Sequence, residues 1–302
     1  MIDLSIVILT YNTRLLTERC LASIEAYPSA PYSIETVLVD NASADGTAEI
    51  VHQRFPAVRL VRNLTNEGFA RGNNAGLAVA EGRYLMLLNS DTEVMPGTLT
   101  ELIRFMDAHP EVGACGPMLL NVDGSLQPSG RPLPTLWRVF VDMSNLYRLW
   151  KSDLYLERNR NYSRPALVGE LSGAALLVRR TCYEECGGLD PAFFAYYEDV
   201  DWCKRIGDAG WLIYYVPLAK VIHVWQGTSR HVSERAYRAG QDSLRYYFHK
   251  HHGRMAAWVV QAMLVGKELF RIAIGCIQFR FPAVAFHWKM LRGVLGSLST
   301  AP

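Results

Sequence analysis

The sequence predicts an α/β fold with a parallel sheet, followed by a basic helical region at the C-terminus. Three observations support this prediction. Short β-branched runs alternate with helical patterns over roughly the first 110 residues, which is typical of a parallel sheet with helices on its faces. Polar turns follow several of the predicted strands. The charge is unevenly distributed, because residues 230–302 are basic and the preceding residues are mildly acidic.

The predicted elements of the first part of the chain follow one another in a regular order. Strands are predicted at residues 4–9, 35–39, 58–61 and 84–88, and helices at residues 14–26, 46–54, 70–80 and 96–109. Pro96 is expected at an early position of the last helix, where its missing N–H costs little. The order is therefore βαβαβαβα, and ligands of such open sheets bind at the carboxyl ends of the strands.

The pattern is mixed between residues 113 and 229. Extended runs are predicted at residues 114–120, 176–178, 212–216 and 220–224, with a turn at Asp123-Gly124 and a helix that begins near residue 198. Residues 135–165 are rich in Trp, Tyr, Arg and Asn, and we interpret them as a mobile or acceptor-facing segment. We place one domain at residues 1–229 and a helical region at residues 230–302.

The composition excludes several classes of protein. Half of the 302 residues are hydrophobic, which excludes disorder as the main state, and a net charge of +2 argues against a dedicated nucleic-acid binder. Residues 1–229 carry 20 basic and 26 acidic side chains, whereas residues 230–302 carry 11 and 3. The six cysteines lack the spacing of a disulfide framework or a zinc site. The first residues lack a basic secretory n-region, so we expect a cytoplasmic protein.

Polar residues stand directly after three of the predicted strands. They are Thr10-Tyr11-Asn12, Asp40-Asn41-Ala42-Ser43 and Asn89-Ser90-Asp91-Thr92. Asn, Asp and Ser also cap helix N-termini, and this alternative explains Ser43 and Asp45 well. It explains less well why an acidic residue follows two strands at the edge where a ligand binds.

Two groups of residues could carry chemistry. Asp91 and His223 are a candidate pair of ligands for Mg²⁺ or Mn²⁺, which need only one or two protein ligands when a diphosphate supplies the rest. For His223 alone, a hydrogen-bonded core histidine is the alternative. Glu198, Asp199 and Asp201 include a candidate general base. Their alternative role is to stabilise the N-terminus of the following helix, which we expect of Asp201.

Five ordered motifs span residues 10–205. They are Thr10-Tyr11-Asn12; Val39-Asp40-Asn41 with Ser43 and Asp45-Gly46-Thr47; Asn66-x-Gly68-Phe69 with Asn73; Leu88-Asn89-Ser90-Asp91; and Tyr197-Glu198-Asp199-x-Asp201 with Arg205. Together they resemble family 2 inverting glycosyltransferases of the GT-A fold, and especially bacterial rhamnosyltransferases of cell-wall or O-antigen synthesis. The resemblance covers about residues 1–229. It implies a Rossmann-like nucleotide-diphospho-sugar transferase domain with a mixed, mainly parallel central sheet.

The resemblance also implies roles for individual residues. Thr10, Tyr11 and Asn12 would line the nucleobase pocket, and Asp40 would hydrogen-bond the base. Asn66, Gly68 and Asn73 would lie along the path of the nucleotide and its diphosphate. The Asn89-Ser90-Asp91 turn matches the acidic metal motif of the family, with Asp91 at the metal-binding position. The sequence departs from the double-acid form of that motif because Asn89 occupies the first acidic position.

The remaining implied roles concern catalysis and the acceptor. Asp199 matches the catalytic base of the family, with Glu198 as the alternative. His223 matches a histidine that joins the metal in several relatives. Gly173 and Ala174 resemble the turn on the acceptor side.

The resemblance favours a metal-dependent inverting glycosyltransferase that uses a nucleotide-sugar donor, dTDP-L-rhamnose, and a lipid-linked saccharide acceptor. A UDP-sugar donor is one alternative, and a non-catalytic nucleotide-sugar-binding membrane scaffold is another. A sugar-1-phosphate nucleotidyltransferase would need a Gly-rich basic loop after the first strand, where Thr10-Tyr11-Asn12-Thr13 stands instead. No G-x-G-x-x-G follows a predicted strand, which argues against a dinucleotide oxidoreductase.

The basic C-terminal region predicts amphipathic helices. A helix is expected from residue 233 toward 249, followed by an apolar stretch at 255–279 and a restart at Pro282. Charged residues at 267, 268 and 271 interrupt that stretch, so it is too short for a bilayer span of ~20 apolar residues. At ~100° per residue, its polar side chains fall on one arc. They are Arg254, Gln261, Lys267, Glu268, Arg271 and Gln278.

Two interpretations of this region compete. It is either an element bound to an anionic membrane surface or a helix packed on the catalytic body or a second subunit. Net positive charge and flanking Trp and Phe favour the membrane surface, which corresponds to a peripheral location on the inner face of the plasma membrane. The sequence leaves open whether the chain forms a homo-oligomer.

Overall fold

Two structural units are present in the computed structural model of the chain, which describes residues 2–144, 162–224 and 234–296. The first unit comprises Met1–Leu133, Arg158–Phe194 and Glu198–Ser229. The second comprises Pro134–Glu157, Ala195–Tyr197 and Arg230–Pro302. The domain division at residue 229 stays a prediction, and part of the acceptor-facing segment expected at residues 135–165 lies outside the described residues.

The strands of the first unit range from two to twelve residues in length. They are Leu4–Thr10 (β1), Ile34–Asp40 (β2), Arg59–Arg62 (β3), Tyr84–Asn89 (β4), Thr92–Val94 (β5), Val112–Leu120 (β6), Leu126–Gln127 (β7), Gly130–Arg131 (β8), Ala166–Leu167 (β9), Glu170–Leu171 (β10), Ala175–Arg179 (β11) and Leu212–His223 (β12).

A mixed sheet contains most of these strands, in the order β3-β2-β1-β4-β11-β6-β12-β5. β1 pairs in parallel with β2 and β4, and β6 pairs in parallel with β12. β11 is antiparallel to both β4 and β6, and β5 is antiparallel to β12. The predicted mixed, mainly parallel sheet is therefore confirmed. β8 and β10 form a separate two-stranded ribbon.

The helices of the first unit are Arg14–Ala26 (α1), Thr47–Arg54 (α2), Gly68–Leu77 (α3) and Thr98–Ala108 (α4), followed later by Arg180–Cys186 (α6) and Glu198–Asp208 (α7). Those of the second unit are Leu136–Ser144 (α5), Glu234–Ile277 (α8) and Phe281–Gly296 (α9). The predicted bounds of α1 are confirmed at both ends.

The structure corrects the predicted simple repeat at the end of β4. A short strand, β5, follows β4 before the next helix, and it completes the sheet by pairing with β12. Pro96 lies outside α4, so the early helical position predicted for it is wrong. The reason is Gly97, whose φ of 76° is left-handed and delays the start of the helix to Thr98.

Two hydrophobic clusters cover the two faces of the sheet. Alternate residues of β1 divide between them, with Ile6 and Ile8 in one cluster and Val7 in the other. All three side chains are fully buried. Burial on both faces explains why the strands are continuous apolar runs in the sequence.

The sheet brings the ends of distant strands to one edge. β1, β2, β4, β6 and β12 share a direction, because β4 and β6 both run opposite to β11. Their carboxyl ends, and the amino end of β11, therefore lie along the same edge of the sheet. This edge is where the polar turns of the sequence were expected to bind a ligand.

The second unit is built around α8, which is interrupted at Gly253 with a left-handed φ of 82°. Glu268 is fully buried and accepts hydrogen bonds from Tyr237 Oη at 2.7 Å and Gln241 Nε2 at 2.8 Å. His287 Nδ1 lies 2.7 Å from its other oxygen. The predicted polar arc therefore faces inward at Glu268. No helix in the described ranges has the length and apolarity needed to cross a bilayer.

Candidate functional site

Asp91 and His223 meet at the carboxyl edge of the sheet. Two backbone contacts hold them there. Thr92, which follows Asp91, pairs with His223 in the sheet, and the N–H of Val224, which follows His223, donates to the Asp91 carbonyl at 2.9 Å. His223 Nε2 lies 3.3 Å from Asp91 Oδ1. Both side chains are largely buried but retain some exposure, at 12% and 17%. Two residues separated by 132 positions are thus brought together.

The donor set of this pair fits a hard divalent cation. Asp91 supplies a carboxylate oxygen, the ligand type that suits Mg²⁺ and Mn²⁺, and His223 supplies an imidazole nitrogen as a second donor. Within the described residues, no group of three or more His, Cys, Asp or Glu side chains could enclose a metal ion. A cation at this position would therefore need further ligands from a bound diphosphate or water.

His223 is held from its other side by Gln127, the last residue of β7. His223 Nδ1 and Gln127 Oε1 are 2.6 Å apart, and Gln127 is buried. Sequence reasoning missed Gln127, because the distance of 96 positions between the two residues gives no pattern. Only the pairing of β7 with β6 brings Gln127 beside β12.

The turns after β1 and β2 support each other through polar contacts. Ser43 N–H donates to Asp40 Oδ1 at 3.1 Å, and Asn12 N–H donates to Ser43 Oγ at 3.0 Å. Asn12, with a left-handed φ of 52°, also accepts from Ala44 N–H. Thr10 is buried and its hydroxyl contacts Thr17, whereas Tyr11 is 46% exposed.

Asp45 has the capping role that the sequence offered as an alternative. Its Oδ2 accepts a 2.9 Å hydrogen bond from the backbone N–H of Arg14, the first residue of α1. Its Oδ1 accepts from the N–H of Thr47, the first residue of α2. One carboxylate thus satisfies the N-termini of two helices, and the capping interpretation of Asp45 is confirmed.

Asn41 organises the loop that precedes α3. Its Nδ2 donates to Asn66 Oδ1 at 2.9 Å and to the Gly68 carbonyl at 3.3 Å. Its Oδ1 accepts from Asn63 Nδ2 and from the backbone N–H of Glu67. Asn41 is buried, so these contacts fix the loop on the end of β2.

Gly68 and Asn73 both have structural roles at the start of α3. Gly68 has a left-handed φ of 80°, and a Cβ there would lie 2.9 Å from the carbonyl oxygen of Phe194. Asn73 is buried and its Nδ2 donates to the Phe69 carbonyl at 3.0 Å. Asn66 is exposed, with its Oδ1 accepting from Gly68 N–H. Of the three residues, Asn66 is thus the most accessible to a ligand.

Asp199, in the first turn of α7, is held against the segment that enters β11. Its Oδ2 accepts a 2.8 Å hydrogen bond from Gly173 N–H, and its Oδ1 accepts from Val200 N–H at 2.9 Å. The next residue, Ala174, accepts from Asn89 N–H at 3.0 Å. Gly173 and Ala174 therefore connect the carboxylate of Asp199 to the end of β4.

The environments of Glu198 and Asp199 differ. Glu198 is only 6% exposed, and its Oε2 has no hydrogen-bond partner among the described residues. Burial and the neighbouring Asp199 raise the pKa of Glu198 well above its usual value. Burial also raises the pKa of Asp199, against hydrogen bonds from Gly173 and Val200 that lower it. Asp199 is half-buried, so it alone of the pair faces solvent appreciably.

Asp201 and Arg131 complete the polar surroundings of the α7 N-terminus. Asp201 is fully buried in the first turn of α7 and accepts a hydrogen bond from Arg205 Nε at 2.9 Å, a contact within the helix, so its expected role at the helix N-terminus stays a prediction. Arg131, in β8, carries a positive charge that lowers the pKa of Asp199. Its Nε is buried without a hydrogen-bond partner in the part of the chain that is described. The sequence offered no signal for Arg131, because β8 was not predicted.

The backbone before α7 is unusual. Tyr196 and Tyr197 both have a φ of 68°, which is rare for residues other than glycine. Two consecutive left-handed residues of this size store strain, and such strain is concentrated at functional sites. The sequence motif Tyr197-Glu198-Asp199 gave no indication of this conformation.

Comparison with known proteins identifies the family. The sequence model of Glycosyl transferase family 2 matches residues 5–186, which include the turns after β1, β2 and β4 and the segment that enters β11. The chain belongs to glycosyltransferase family 2. It is 36% identical over 235 residues to the N-acetylglucosaminyl-diphospho-decaprenol L-rhamnosyltransferase of Mycobacterium tuberculosis, covering 73% of this chain and 75% of that protein. It is 25% identical over 182 residues to the rhamnosyltransferase WbbL of Escherichia coli, covering 57% and 66%.

Solved structures of glycosyltransferases share the fold of this family 2 protein. A mannosyltransferase from Pyrobaculum calidifontis in complex with GDP-Man and Mn²⁺ has a TM-score of 0.59 at 17% identity, covering 98% of this chain and 86% of that one. GalNAc-T7 with UDP, GalNAc and Mn²⁺ also gives 0.59, at 19% identity and with coverages of 82% and 50%. The GT-A fold and the activity class predicted from the sequence are confirmed: the protein is a rhamnosyltransferase-like glycosyltransferase.

Proposed function

We propose that this glycosyltransferase moves L-rhamnose from dTDP-L-rhamnose to a lipid-linked saccharide, with inversion and with a divalent metal, in bacterial cell-wall or surface polysaccharide synthesis. The 36% identity to an N-acetylglucosaminyl-diphospho-decaprenol L-rhamnosyltransferase, over 73% of the chain, supports both the sugar and the lipid-linked diphosphate acceptor. The similarity to WbbL supports the same sugar.

The observation that carries this proposal is the contact between Asp91 and His223. A carboxylate oxygen and an imidazole nitrogen 3.3 Å apart, at the carboxyl edge of the sheet, suit Mg²⁺ or Mn²⁺ with a diphosphate as the remaining ligand. When bound, the cation would neutralise the charge that develops on the leaving diphosphate. Asn89, where the double-acid motif has an acid, lies at the end of β4 two residues before Asp91.

Asp199 is the proposed general base. The N–H groups of Gly173 and Val200 orient its carboxylate, which takes the proton from the acceptor hydroxyl as that oxygen attacks the anomeric carbon. The bond from that carbon to the diphosphate oxygen breaks, and the electron pair leaves with the diphosphate. Attack from the face opposite the leaving group inverts the configuration. Gly173 and Ala174 would then lie on the acceptor side.

Glu198 fits this reaction less well as the base. Its burial and the charge of Asp199 raise its pKa well above the usual value, which disfavours its ionised form. With 6% exposure it is also poorly placed to reach a hydroxyl of the acceptor.

The nucleotide is proposed to bind over the turns after β1 and β2. Exposed Tyr11 offers a ring face to the base, and Asp40 Oδ1, which accepts from Ser43 N–H, leaves its second oxygen to hydrogen-bond the base. Asn12 and Thr10 would hold this turn in place. The diphosphate would pass Asn66, Gly68 and Asn73, where Asn41 fixes the loop.

A membrane-facing surface is proposed for the second unit. An uncharged stripe runs along one exposed face of α8 beyond Gly253, with the spacing of three and four residues that defines one side of a helix. The stripe consists of Met255, Trp258, Val259, Ala262, Gly266, Leu269, Phe270, Ala273 and Ile277. The opposite face is buried. A continuous exposed apolar surface of this length is typical of a site that binds a protein or a membrane.

The charge of the second unit supports an anionic membrane surface as that partner. The second unit has exposed cations at residues 250, 254, 271, 280, 289 and 292, and residues 230–302 carry a net charge of +8. A lipid-linked acceptor is held in the membrane, so binding to the membrane surface would bring the enzyme to its acceptor. We therefore propose a cytoplasmic, peripheral location on the inner face of the plasma membrane.

The donor is tested by thermal shift of the full-length protein with dTDP-L-rhamnose, UDP-N-acetylglucosamine and GDP-mannose, each with Mn²⁺ or EDTA. A ligand that binds only the folded state raises the melting temperature by mass action. We expect a selective response to the dTDP-sugar that EDTA abolishes. A selective response to a UDP- or GDP-sugar would overturn the rhamnose assignment.

The acceptor is tested by transfer of radiolabelled sugar from the same donor to a short-chain prenyl-diphosphate N-acetylglucosamine. The matched control is the same saccharide without the prenyl diphosphate. Transfer to the lipid-linked form alone supports the proposal. Donor binding without transfer to any acceptor would favour the non-catalytic scaffold that the sequence left as an alternative.

A further inference from the structure

A chain of hydrogen bonds runs from the surface turn between β6 and β7 to His223. Ser125 Oγ donates to Asp123 Oδ1 at 2.6 Å, and Asn121 Nδ2 donates to Ser125 Oγ at 2.9 Å. Gln127 Nε2 donates to Asn121 Oδ1 at 3.0 Å, and Gln127 Oε1 lies 2.6 Å from His223 Nδ1. Four consecutive contacts therefore connect an exposed aspartate to the buried side of the imidazole.

The polarity of this chain is fixed at its outer end. An ionised carboxylate only accepts hydrogen bonds, and the hydrogen bonds from Ser125 hold the pKa of Asp123 below its usual value. The Ser125 hydroxyl must then donate to Asp123 and accept from the Asn121 amide. Because the Asn121 nitrogen faces Ser125, the Asn121 oxygen faces the amide nitrogen of Gln127. The Gln127 oxygen is therefore the atom that faces His223. An oxygen at that place can only accept, so His223 Nδ1 must donate.

We infer that Gln127 is a positioning residue that locks neutral His223 in the Nδ1–H tautomer and thereby directs the lone pair of Nε2 at the space beside Asp91. A metal-binding imidazole needs one unprotonated nitrogen, and a hydrogen bond at the other nitrogen selects which one it is. His223 Nε2 is the nitrogen 3.3 Å from Asp91 Oδ1. The inference rests on the proposed metal role of this pair.

The alternative tautomer would have the opposite effect. With the proton on Nε2, His223 would donate to Asp91 Oδ1 and leave Nδ1 as an acceptor facing an acceptor oxygen at 2.6 Å. The same Nε2 proton would occupy the place that a cation takes. Gln127 therefore disfavours a hydrogen bond from His223 to Asp91.

The tautomer is read directly by ¹⁵N NMR of histidine-labelled, metal-free full-length protein at about pH 8, above the ordinary pKa of histidine. The His223 signals are assigned by their loss in His223→Gln. We expect a protonated Nδ1 and an unprotonated Nε2 in the wild type, and a shift toward protonated Nε2 in Gln127→Met. Protonated Nε2 in the wild type, or an unchanged Nδ1–H tautomer in Gln127→Met, would overturn the inference.

Metal affinity supplies a second readout that does not depend on catalysis. Binding of Mn²⁺ in the presence of dTDP is followed by electron paramagnetic resonance, and we expect about 10-fold to 100-fold weaker binding in Gln127→Met. Gln53→Met, the same change at an exposed position of α2, should leave the affinity unchanged. Equal affinity of wild type and Gln127→Met would contradict the inference.

Ser125→Ala tests the polarity of the chain without touching the buried residues. Ser125 is exposed, so this variant is expected to fold normally. Loss of its hydroxyl frees the Asn121 and Gln127 amides to rotate, and we expect His223 to become a mixture of both tautomers. A wild-type tautomer in this variant would contradict the fixed polarity. The tautomer readout is independent of the sugar donor, so a failure of the rhamnosyltransferase proposal would leave it interpretable.

Discussion

The backbone N–H of Gly173 donates a 2.8 Å hydrogen bond to Oδ2 of Asp199. Gly173 is buried, and a Cβ at its position would lie 3.3 Å from Cβ and 3.5 Å from Oδ2 of that aspartate. The segment that enters β11 thus both orients the carboxylate and leaves no spare room beside it. This relationship supports the proposal that Asp199 is the general base.

Asp199→Asn should reduce transfer by about 10²-fold to 10⁴-fold, because an amide cannot take the acceptor proton. Nucleotide binding should stay measurable, since the proposed nucleotide residues lie outside α7. Activity assays and calorimetric titration with dTDP and Mn²⁺ check both expectations. Asp208→Asn, at the other end of α7 where Asp208 pairs with Lys204, is the control for a general effect on the helix. Turnover like the wild type in Asp199→Asn would remove Asp199 from the mechanism.

Gly173→Ala should lower kcat more than it raises the KM of the donor. The added methyl group would lie 3.3 Å from Cβ of Asp199, so that side chain must shift by a few tenths of an ångström, whereas Phe69 at 3.5 Å is in ordinary contact. The tightest contact is therefore with the proposed base. Gly207→Ala is the matched control, since a Cβ there meets nothing within 4 Å and alanine stabilises a helix by roughly 0.5–1 kcal/mol relative to glycine. An increase in KM alone would show that Gly173 contributes to donor binding instead.

Arg131→Gln should move the acidic limb of the pH–rate profile to higher pH. Burial raises the pKa of Asp199 and the charge of Arg131 lowers it, so removal of that charge raises the pKa further. Asp199 acts as a base only when ionised, and activity should therefore fall most at low pH and least at high pH. Arg131→Lys keeps the charge and should keep the profile. Equal losses at every pH in Arg131→Gln would indicate a purely structural role.

The strands and helices near the start of the chain are predictable because each has a pattern within its own residues. Both faces of the sheet are buried, so β1, β2 and β4 stand out as apolar runs, and the helices between them follow the period of 3.6 residues. The missed elements have no such signal. β8 and β10 are two residues each and are defined only by their pairing, and β5 is a strand only because β12 returns beside it.

The site shows the same division between local and distant information. Asp91 and Asp199 stand in motifs that the sequence displays, whereas Gln127 and Arg131 act on their partners across 96 and 68 positions. The orientation of α8 was also beyond the sequence. The polar arc resembles a solvent-facing side until the hydrogen bonds from Tyr237 and Gln241 to Glu268 are known.

Asn41→Ala should destabilise the protein by about 1–3 kcal/mol, because it leaves the buried Gly68 carbonyl and the Glu67 N–H without their amide partner. Urea unfolding measures this loss. Asn63→Ala removes a single contact to Asn41 and should cost only about 1 kcal/mol. Donor binding should weaken in Asn41→Ala as well, if the loop before α3 carries the diphosphate. Equal stabilities of the two variants would show that Asn41 does not organise the loop.

Phe270→Glu and Trp258→Glu should each reduce flotation of the full-length protein with phosphatidylglycerol-containing vesicles. Both side chains belong to the apolar stripe of α8 and are more than half exposed, at 56% and 53%. A glutamate there removes apolar surface from the interface and repels anionic headgroups, and both effects lower the affinity for the vesicles. Leu218→Glu is the matched control, because Leu218 is 70% exposed on β12 of the first unit.

The lipid and salt dependence of flotation distinguish the membrane from a protein partner. Binding through the cations of the second unit should weaken with rising salt and should be much weaker to vesicles of phosphatidylcholine alone. If the stripe instead pairs with a second copy of this chain, Phe270→Glu will convert a dimer to a monomer in sedimentation without changing flotation. That result would contradict the membrane surface, because a stripe buried between two subunits has no apolar face left for the bilayer.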